Sequence, residues 1–173
     1  MTVKLDVSEV AGQLHALHQA AAHRVPGAHE CIAVVVPLAE GKANVVREGS
    51  DVTIVALALM VPRALKAADI LKEQHGIDAT VVDLRSLVPL DTQTILREVA
   101  KTGRLVTVEE NPRLCGWGAE ISSIVAEELF WDLDGPIVRI TTPHIPLAAA
   151  NNLEDEQIPN ADKIVAGVRQ LVD

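Results

Sequence analysis

"VTIVALALMVPRALKAADILKEQHGIDATVVDLRSL" (residues 52–87) holds two apolar runs separated by one helix-length segment. The first, VTIVALALM (52–60), is a continuous apolar run, as expected of a strand covered on both faces. Pro62 then opens a helix at a position where its missing N–H costs nothing. Leu65, Ala68 and Leu71 line one face of that helix, and Gly76 ends it. ATVVDLRSL (79–87) reads as the next strand. Strand, helix, strand is the unit of a parallel sheet, because parallel neighbours need a crossover between them.

The alternation continues downstream. Asp91 is placed to cap the helix TQTILREVAKT, which turns Ile95, Leu96 and Val99 inward and stops at Gly103. RLVTVEE (104–110) is a third strand, and AEISSIVAEELF (119–130) a helix whose buried stripe is Ile121, Ile124, Val125 and Leu129. PIVRITT (136–142) is a fourth strand. Asn160 caps a last helix carrying Ile164, Val165, Val168 and Leu171. Upstream, CIAVVVPL (31–38) is a short apolar run that leads into a polar link, AEGKANVVREGSD. VAGQLHALHQAAAHRV (10–25) is an Ala-rich helix that stops at Pro26-Gly27. The chain therefore divides into a helical extension over 1–30, a linker-like segment over 31–50 and an α/β domain over 51–173. The expected architecture is a three-layer α/β/α sandwich with a mostly parallel central sheet of about five strands.

Composition narrows the function classes. Of 173 residues, 49% are hydrophobic and only 2% aromatic (Trp117, Phe130 and Trp131), so aliphatic side chains must build the core. The net charge of −9, from 24 acidic and 15 basic residues, repels nucleic acid and anionic lipid and favours a basic partner surface. No apolar run reaches the roughly 18–20 residues of a membrane span, and the N-terminus does not read as a secretory signal. Two cysteines, Cys31 and Cys115, form neither a disulfide framework nor a metal spacing and suit a reducing cytoplasm.

The chemistry-bearing residues concentrate in VEENPRLCGWGAEI (108–121), at a strand-to-helix turn where α/β folds place ligands. Gly116-x-Gly118 at a helix start can offer backbone N–H groups to an anion. Residue 121 is Ile, however, so the dinucleotide fingerprint is incomplete, and Glu109, Glu110 and Glu120 crowd the turn with negative charge. A tight turn packed against something is the preferred reading. Cys115 would need a base, for which His144 beyond the next strand is the candidate; a buried or interfacial thiol is preferred. Asp83 and Arg85, two apart on a strand, share a face and are read as ion-pairing to neighbouring segments. His15 and His18 share a helix face without the Cys or acidic partners of a metal site. NNLEDEQIPNAD (151–162) is read as a solvated acidic loop.

Taken in order, the segments REGSDVTIVA, ATVVDLRSLVPLD, TILREVAKTGRLVTVEE, GWGAEISSIVAEE, PIVRITTPHIPL and LEDEQIPNADKIV resemble a known family. It is the C-terminal domain of the β subunit of thiamine-diphosphate-dependent 2-oxo acid dehydrogenases of the pyruvate, branched-chain and acetoin type, akin to the third domain of transketolase. The resemblance runs from about Pro37 onward. It implies that thiamine diphosphate and Mg are held by a pyrophosphate domain with a Gly-Asp-Gly motif and by a pyrimidine domain. Neither is recognisable here, so the chain alone is expected to bind no cofactor or metal. The resemblance also implies a domain that pairs subunits, works beside separate α-like and pyrimidine-domain chains, and docks the basic subunit-binding domain of an acyltransferase core. The expected role is therefore a non-catalytic assembly domain, forming a homodimer. Its interface or loop candidates are Glu109, Arg113, Cys115, Gly116, Trp117, Gly118, Glu120, His144 and Asp173. The alternatives are a small-molecule or regulatory binding domain using the loops near Gly116 and His144, and a Cys115/His144 enzyme. Two departures stand out: VALALMV replaces a polar Gly- or Ser-containing turn common in relatives, and His144 replaces an acidic residue.

Overall fold

The first apolar run makes the middle of a sheet. In the computed structural model, which describes residues 41–172 apart from Leu147 and Ala149, the strand β2 (Val52–Ala56) is buried along its whole length. Its neighbours are β3 (Ala79–Asp83) on one side and β4 (Leu105–Pro112) on the other, both parallel to it. Beyond β4 lies β5 (Val138–Thr142), also parallel, and beyond β3 lies β1 (Asn44–Arg47), antiparallel. The strand order is thus β1-β3-β2-β4-β5. The extension over 10–25 with its histidines, the run at 31–38 and Asp173 lie outside the described residues.

Side-chain alternation along β2 feeds two cores. Val52, Ile54 and Ala56 face one layer, made by α1 (Met60–Ile70) and α5 (Ala161–Val172). Val55 faces the other, made by α2 (Thr92–Thr102) and α3 (Trp117–Glu128). Ala64, Ala67 and Ala68 let α1 lie close against the sheet, while Ile164, Val165 and Val168 of α5 fill the same layer. Burying each such aliphatic side chain contributes roughly 1.5–3 kcal/mol. Thr53 is the polar member of β2, and its hydroxyl bonds Glu98 O and Thr102 Oγ1, both at 2.9 Å. A short helix, α4 (Asn151–Gln157), precedes α5.

The helix boundaries follow the local signals. Asp91 caps α2 by accepting from Thr94 N, and Gly103 ends it with φ 66°. Gly76, with φ 70°, closes the single wide turn Leu71–His75 that extends α1. Asn160 Oδ1 accepts from Lys163 N at 2.9 Å at the start of α5. Three boundaries differ from the sequence reading. The apolar run at 52–60 is strand only to Ala56; Leu57–Leu59 form a turn with Ala58 at φ 52°, and Met60 already begins α1. Apolar character cannot mark that break, because a buried strand and a buried helix start look alike. The run at 79–87 leaves the sheet at Asp83. The polar link supplies an edge strand, β1, held by β3.

Candidate functional site

β2, β3, β4 and β5 all end on the same edge of the sheet, and the loops that follow them carry most of the residues singled out by sequence. The geometry there is organised by Glu109. It sits on β4 with a side chain that is fully buried, and both carboxylate oxygens are saturated. Oε1 accepts from Arg139 Nη2 at 2.9 Å and Nε at 3.2 Å, and Oε2 accepts from Gly118 N at 2.9 Å and Asn111 Nδ2 at 3.0 Å. Arg139, on β5, is 11% exposed at its side chain, so the ion pair is desolvated. Arg139 Nη2 also donates to Arg113 O at 3.0 Å, tying the loop to the same group.

This arrangement explains both glycines. Neither Gly116 nor Gly118 has a positive φ; each is needed for close approach. A β-carbon at Gly118 would overlap the Glu109 carboxylate and lie 2.5 Å from Thr107 Oγ1. One at Gly116 would overlap Glu109 Oε2 and lie 2.5 Å from Asn111 Nδ2. The left-handed residue of the turn is instead Cys115, at φ 59°. The anion at this helix start is the chain's own: Glu109 occupies the Gly118 N–H that a phosphate would use.

The remaining predicted residues scatter around this core. Arg113 and Cys115 are exposed, as are Glu120 in the first turn of α3 and His144 after β5. Trp117, one of the interface or loop candidates, is half-buried and packs on the α2/α3 layer of the chain itself. Asp83 and Arg85 bond each other: Arg85 N donates to Asp83 Oδ1 at 3.1 Å, and Arg85 Nε lies 3.7 Å from Asp83 Oδ2. Arg85 has left the strand, with φ 58°, so period-two geometry does not apply to it. Asp91 binds Ala43 N at 3.1 Å and Thr94 Oγ1 at 2.8 Å. Burial pushes its carboxyl up, but the Thr94 and Ala43 donors and Lys42 outweigh burial and hold it below the ordinary carboxylate value.

Sequence reasoning missed two features. Arg139 looked like one polar residue in an ordinary strand, and nothing local in PIVRITT announces its partner across the β4–β5 pair. The exposed aromatics are not Trp117 but Phe130 and Trp131, at 60% and 93% exposure, packed edge to face with ring centres 5.0 Å apart. They follow α3 at the opposite edge of the sheet, beside an open hollow of about 470 Å³ lined by Ala126, Leu133 and Pro136 among others. Among the described residues no three His, Cys, Asp or Glu side chains gather as a metal site, and no helix is long and apolar enough to cross a membrane.

These features can be set beside known proteins. The family described as Transketolase, C-terminal domain, matches residues 41–164. The β subunit of acetoin:2,6-dichlorophenolindophenol oxidoreductase from Cupriavidus necator is 46% identical over 132 residues, which are 76% of this chain and 39% of that subunit. The mitochondrial pyruvate dehydrogenase E1 component subunit beta-2 of Oryza sativa is 49% identical over 130 residues, 75% of this chain and 34% of that one. A structure titled as a split gene transketolase, inactive beta4 tetramer, superposes with a TM-score of 0.70 and 32% identity, covering 83% of this chain and 45% of that one. The chain thus spans about two-fifths of the length of the curated relatives it matches. Its parallel sheet, its strand-end turn and these matches agree, and the chain belongs to the transketolase C-terminal domain family, related to the β subunits of pyruvate and acetoin dehydrogenases.

Proposed function

We propose that the chain is an assembly domain that pairs with a second copy and carries no thiamine diphosphate site of its own, the cofactor being held by separate α-like and pyrimidine-domain chains. The observation that carries this reading is the Phe130–Trp131 corner, where a Trp stands 93% exposed beside a second exposed ring. A side chain of that size in water is the usual signature of a surface awaiting a partner, and Trp dominates interface energetics. Two copies related by a two-fold axis would bury the corner twice. The split gene transketolase whose β chains form an inactive tetramer supplies a precedent for assembly without turnover.

The residues at the strand ends do not fit a diphosphate and its divalent cation. The N–H at the start of α3 is already bound to Glu109, and the described residues gather no acidic cluster for a metal. The net charge of −9 further supports docking of a basic module such as an acyltransferase subunit-binding domain. Sedimentation equilibrium of the full chain tests the pairing. A dimer is expected, and Trp131→Ala should raise its dissociation constant by about thirtyfold or more, as for a Trp hot spot worth about 2 kcal/mol. A monomer at high micromolar concentration refutes the pairing. Titration with a basic subunit-binding domain across a salt series tests the docking, which fails if no salt-sensitive binding is seen.

A further inference from the structure

The edge strand β1 differs from the rest of the sheet. It is four residues long, each only half-buried, and its pairing with β3 slips register between Val45 and Arg47. It nevertheless covers both layers on its side: Ala43 and Val45 pack on the α2/α3 layer, and Val46 on the α1/α5 layer. Its trailing end is fixed by buried backbone. Gly49 N donates to Thr80 Oγ1 and Thr80 Oγ1 to Gly49 O, both at 2.9 Å, and Ser50 N and Asp51 N reach Asp78 O at 3.0 and 2.9 Å. A β-carbon at Gly49 would overlap the backbone of Asp78 and Ala79, so the chain is pressed against β3 there. Arg47 adds ion pairs to Asp69 and Asp78 at the same end.

At the leading end the polar contacts converge on Asp91. Ala43 N donates to Asp91 Oδ2 at 3.1 Å, and the Lys42 ammonium stands 3.7 Å from Asp91 Oδ1, while Gly41 lies against Pro89. Lys42 is 60% exposed at its side chain, so its ion pair contributes little. Asp91 itself is 5% exposed, and the same Oδ2 accepts from Thr94 Oγ1 at 2.8 Å, with Thr94 N reaching Oδ1 at 3.3 Å. One carboxylate thus serves the entry to β1 and the first turn of α2 together. Lifting β1 admits water to Asp91, where it competes with Thr94 for the carboxylate oxygens. Loosening the first turn of α2 frees Asp91 from Ala43 in the same way, and the two effects are reciprocal by linkage.

We propose that β1 is a strap that opens as a unit about Gly49, with Asp91 as the latch that couples its release to the first turn of α2. The open form leaves β3 with an unpaired edge, a state that sheets normally cover. Whatever holds the chain at Ala43 therefore firms α2, and whatever firms the start of α2 closes the strap. The device uses neither the Phe130–Trp131 corner nor a second copy, so it stands or falls apart from the assembly reading.

Native-state hydrogen exchange of the full chain, read by mass spectrometry on fragments covering 43–48, 92–96 and 105–110, tests the strap. After correction for intrinsic rates, the 43–48 amides should exchange at least about a hundredfold faster than those of β4, because opening a strap costs less than unfolding the domain. Low urea should accelerate β4 and leave the strap nearly unchanged, since little surface is exposed when it lifts. Val45→Ala, which weakens only the packing of the strap, should speed the 43–48 and 92–96 fragments by a similar factor of about five. Thr94→Val, which removes a donor from the other side of the latch, should do the same. Thr80→Val removes hinge bonds that the open form keeps, so it should speed β4 and not the strap. Strap amides that exchange in step with β4 overturn the proposal, because β1 then opens only with the whole domain. So does a Val45→Ala protein whose 43–48 fragment speeds up while 92–96 holds its parent rate, since Asp91 then caps α2 without latching β1. Faster strap exchange in Thr80→Val does so too, as the hinge is then not at Gly49. If Thr94→Val or Thr80→Val does not fold, the parent and Val45→Ala measurements decide the matter.

Discussion

Replacing Glu109 with Gln changes one oxygen to an amide and leaves the backbone untouched, yet the structure makes it a severe test. The carboxylate accepts four hydrogen bonds, two from Arg139 and one each from Gly118 and Asn111, in a fully buried position. Gln can satisfy only half of them. If its oxygen faces Arg139, the new NH₂ points at two other donors, each left unsatisfied at about 1–3 kcal/mol. If it turns round, Arg139 loses its buried counterion, and a broken buried pair costs about 3–5 kcal/mol. The first branch sums to about 2–6 kcal/mol and the second to about 3–5 kcal/mol, so the expected loss centres on about 3–5 kcal/mol. At about 2–4 °C per kcal/mol for a domain of this size, the melting temperature should fall by roughly 6–20 °C. Urea unfolding followed by far-ultraviolet circular dichroism reads it directly. The double change Glu109→Met with Arg139→Met removes both charges together and should cost less than Glu109→Gln alone. A Glu109→Gln protein within about 1 kcal/mol of the parent, or a double variant whose loss equals the sum of the single losses, refutes the claim that one desolvated pair holds the loop.

Further outcomes follow from the same geometry. Gly118→Ala should gain up to about 1 kcal/mol from helix propensity, but its β-carbon overlaps Glu109 and lies 2.5 Å from Thr107 Oγ1, so the net effect is a loss of about 1–3 kcal/mol; in a Glu109→Ala background the loss should shrink, the Thr107 contact remaining. Asp91→Asn weakens a helix cap worth about 1 kcal/mol. The folded carboxyl is held below its ordinary value, so its contribution is present above the unfolded pKa and is lost as pH falls through the folded one. The stability gap between parent and Asp91→Asn should therefore be full at pH 7 and shrink below about pH 4, and a gap that does not change with pH contradicts the reading. Ala58, exposed at φ 52°, occupies a glycine-favouring conformation; Ala58→Gly should raise stability by about 0.5–1 kcal/mol in chemical denaturation, and a loss would show that the turn is not strained.

Much of this fold is legible in local patterns. The alternation of apolar strands with one-faced helices, Asp91 and Asn160 as caps, and Gly76 and Gly103 as stops are properties of a few adjacent residues, where sterics and backbone hydrogen bonding act. They sufficed for the layers, the parallel sheet and, through the ordered segments, the family. Boundaries were less legible where burial hides the change of conformation, as at Ala58 and Arg85, both left-handed without being glycine. The turn at 108–121 was legible as a set of residue types but not as an arrangement. Glu109 read as one of three carboxylates crowding the turn, yet thirty residues of chain return Arg139 to its side across β4 and β5 and make it a clamp. The same clamp requires Gly116 and Gly118, which the sequence alone presents as a tight turn packed against an unspecified surface. Trp117 and Trp131 carry the same side chain, and only the packing of α3 decides that the first is half-buried and the second faces water. Local sequence determined which segments are strand or helix, because those preferences are set within a few residues. Which polar groups meet, and which apolar groups are left over for a partner, is set by contacts between residues far apart in the chain, and only the tertiary structure decided that.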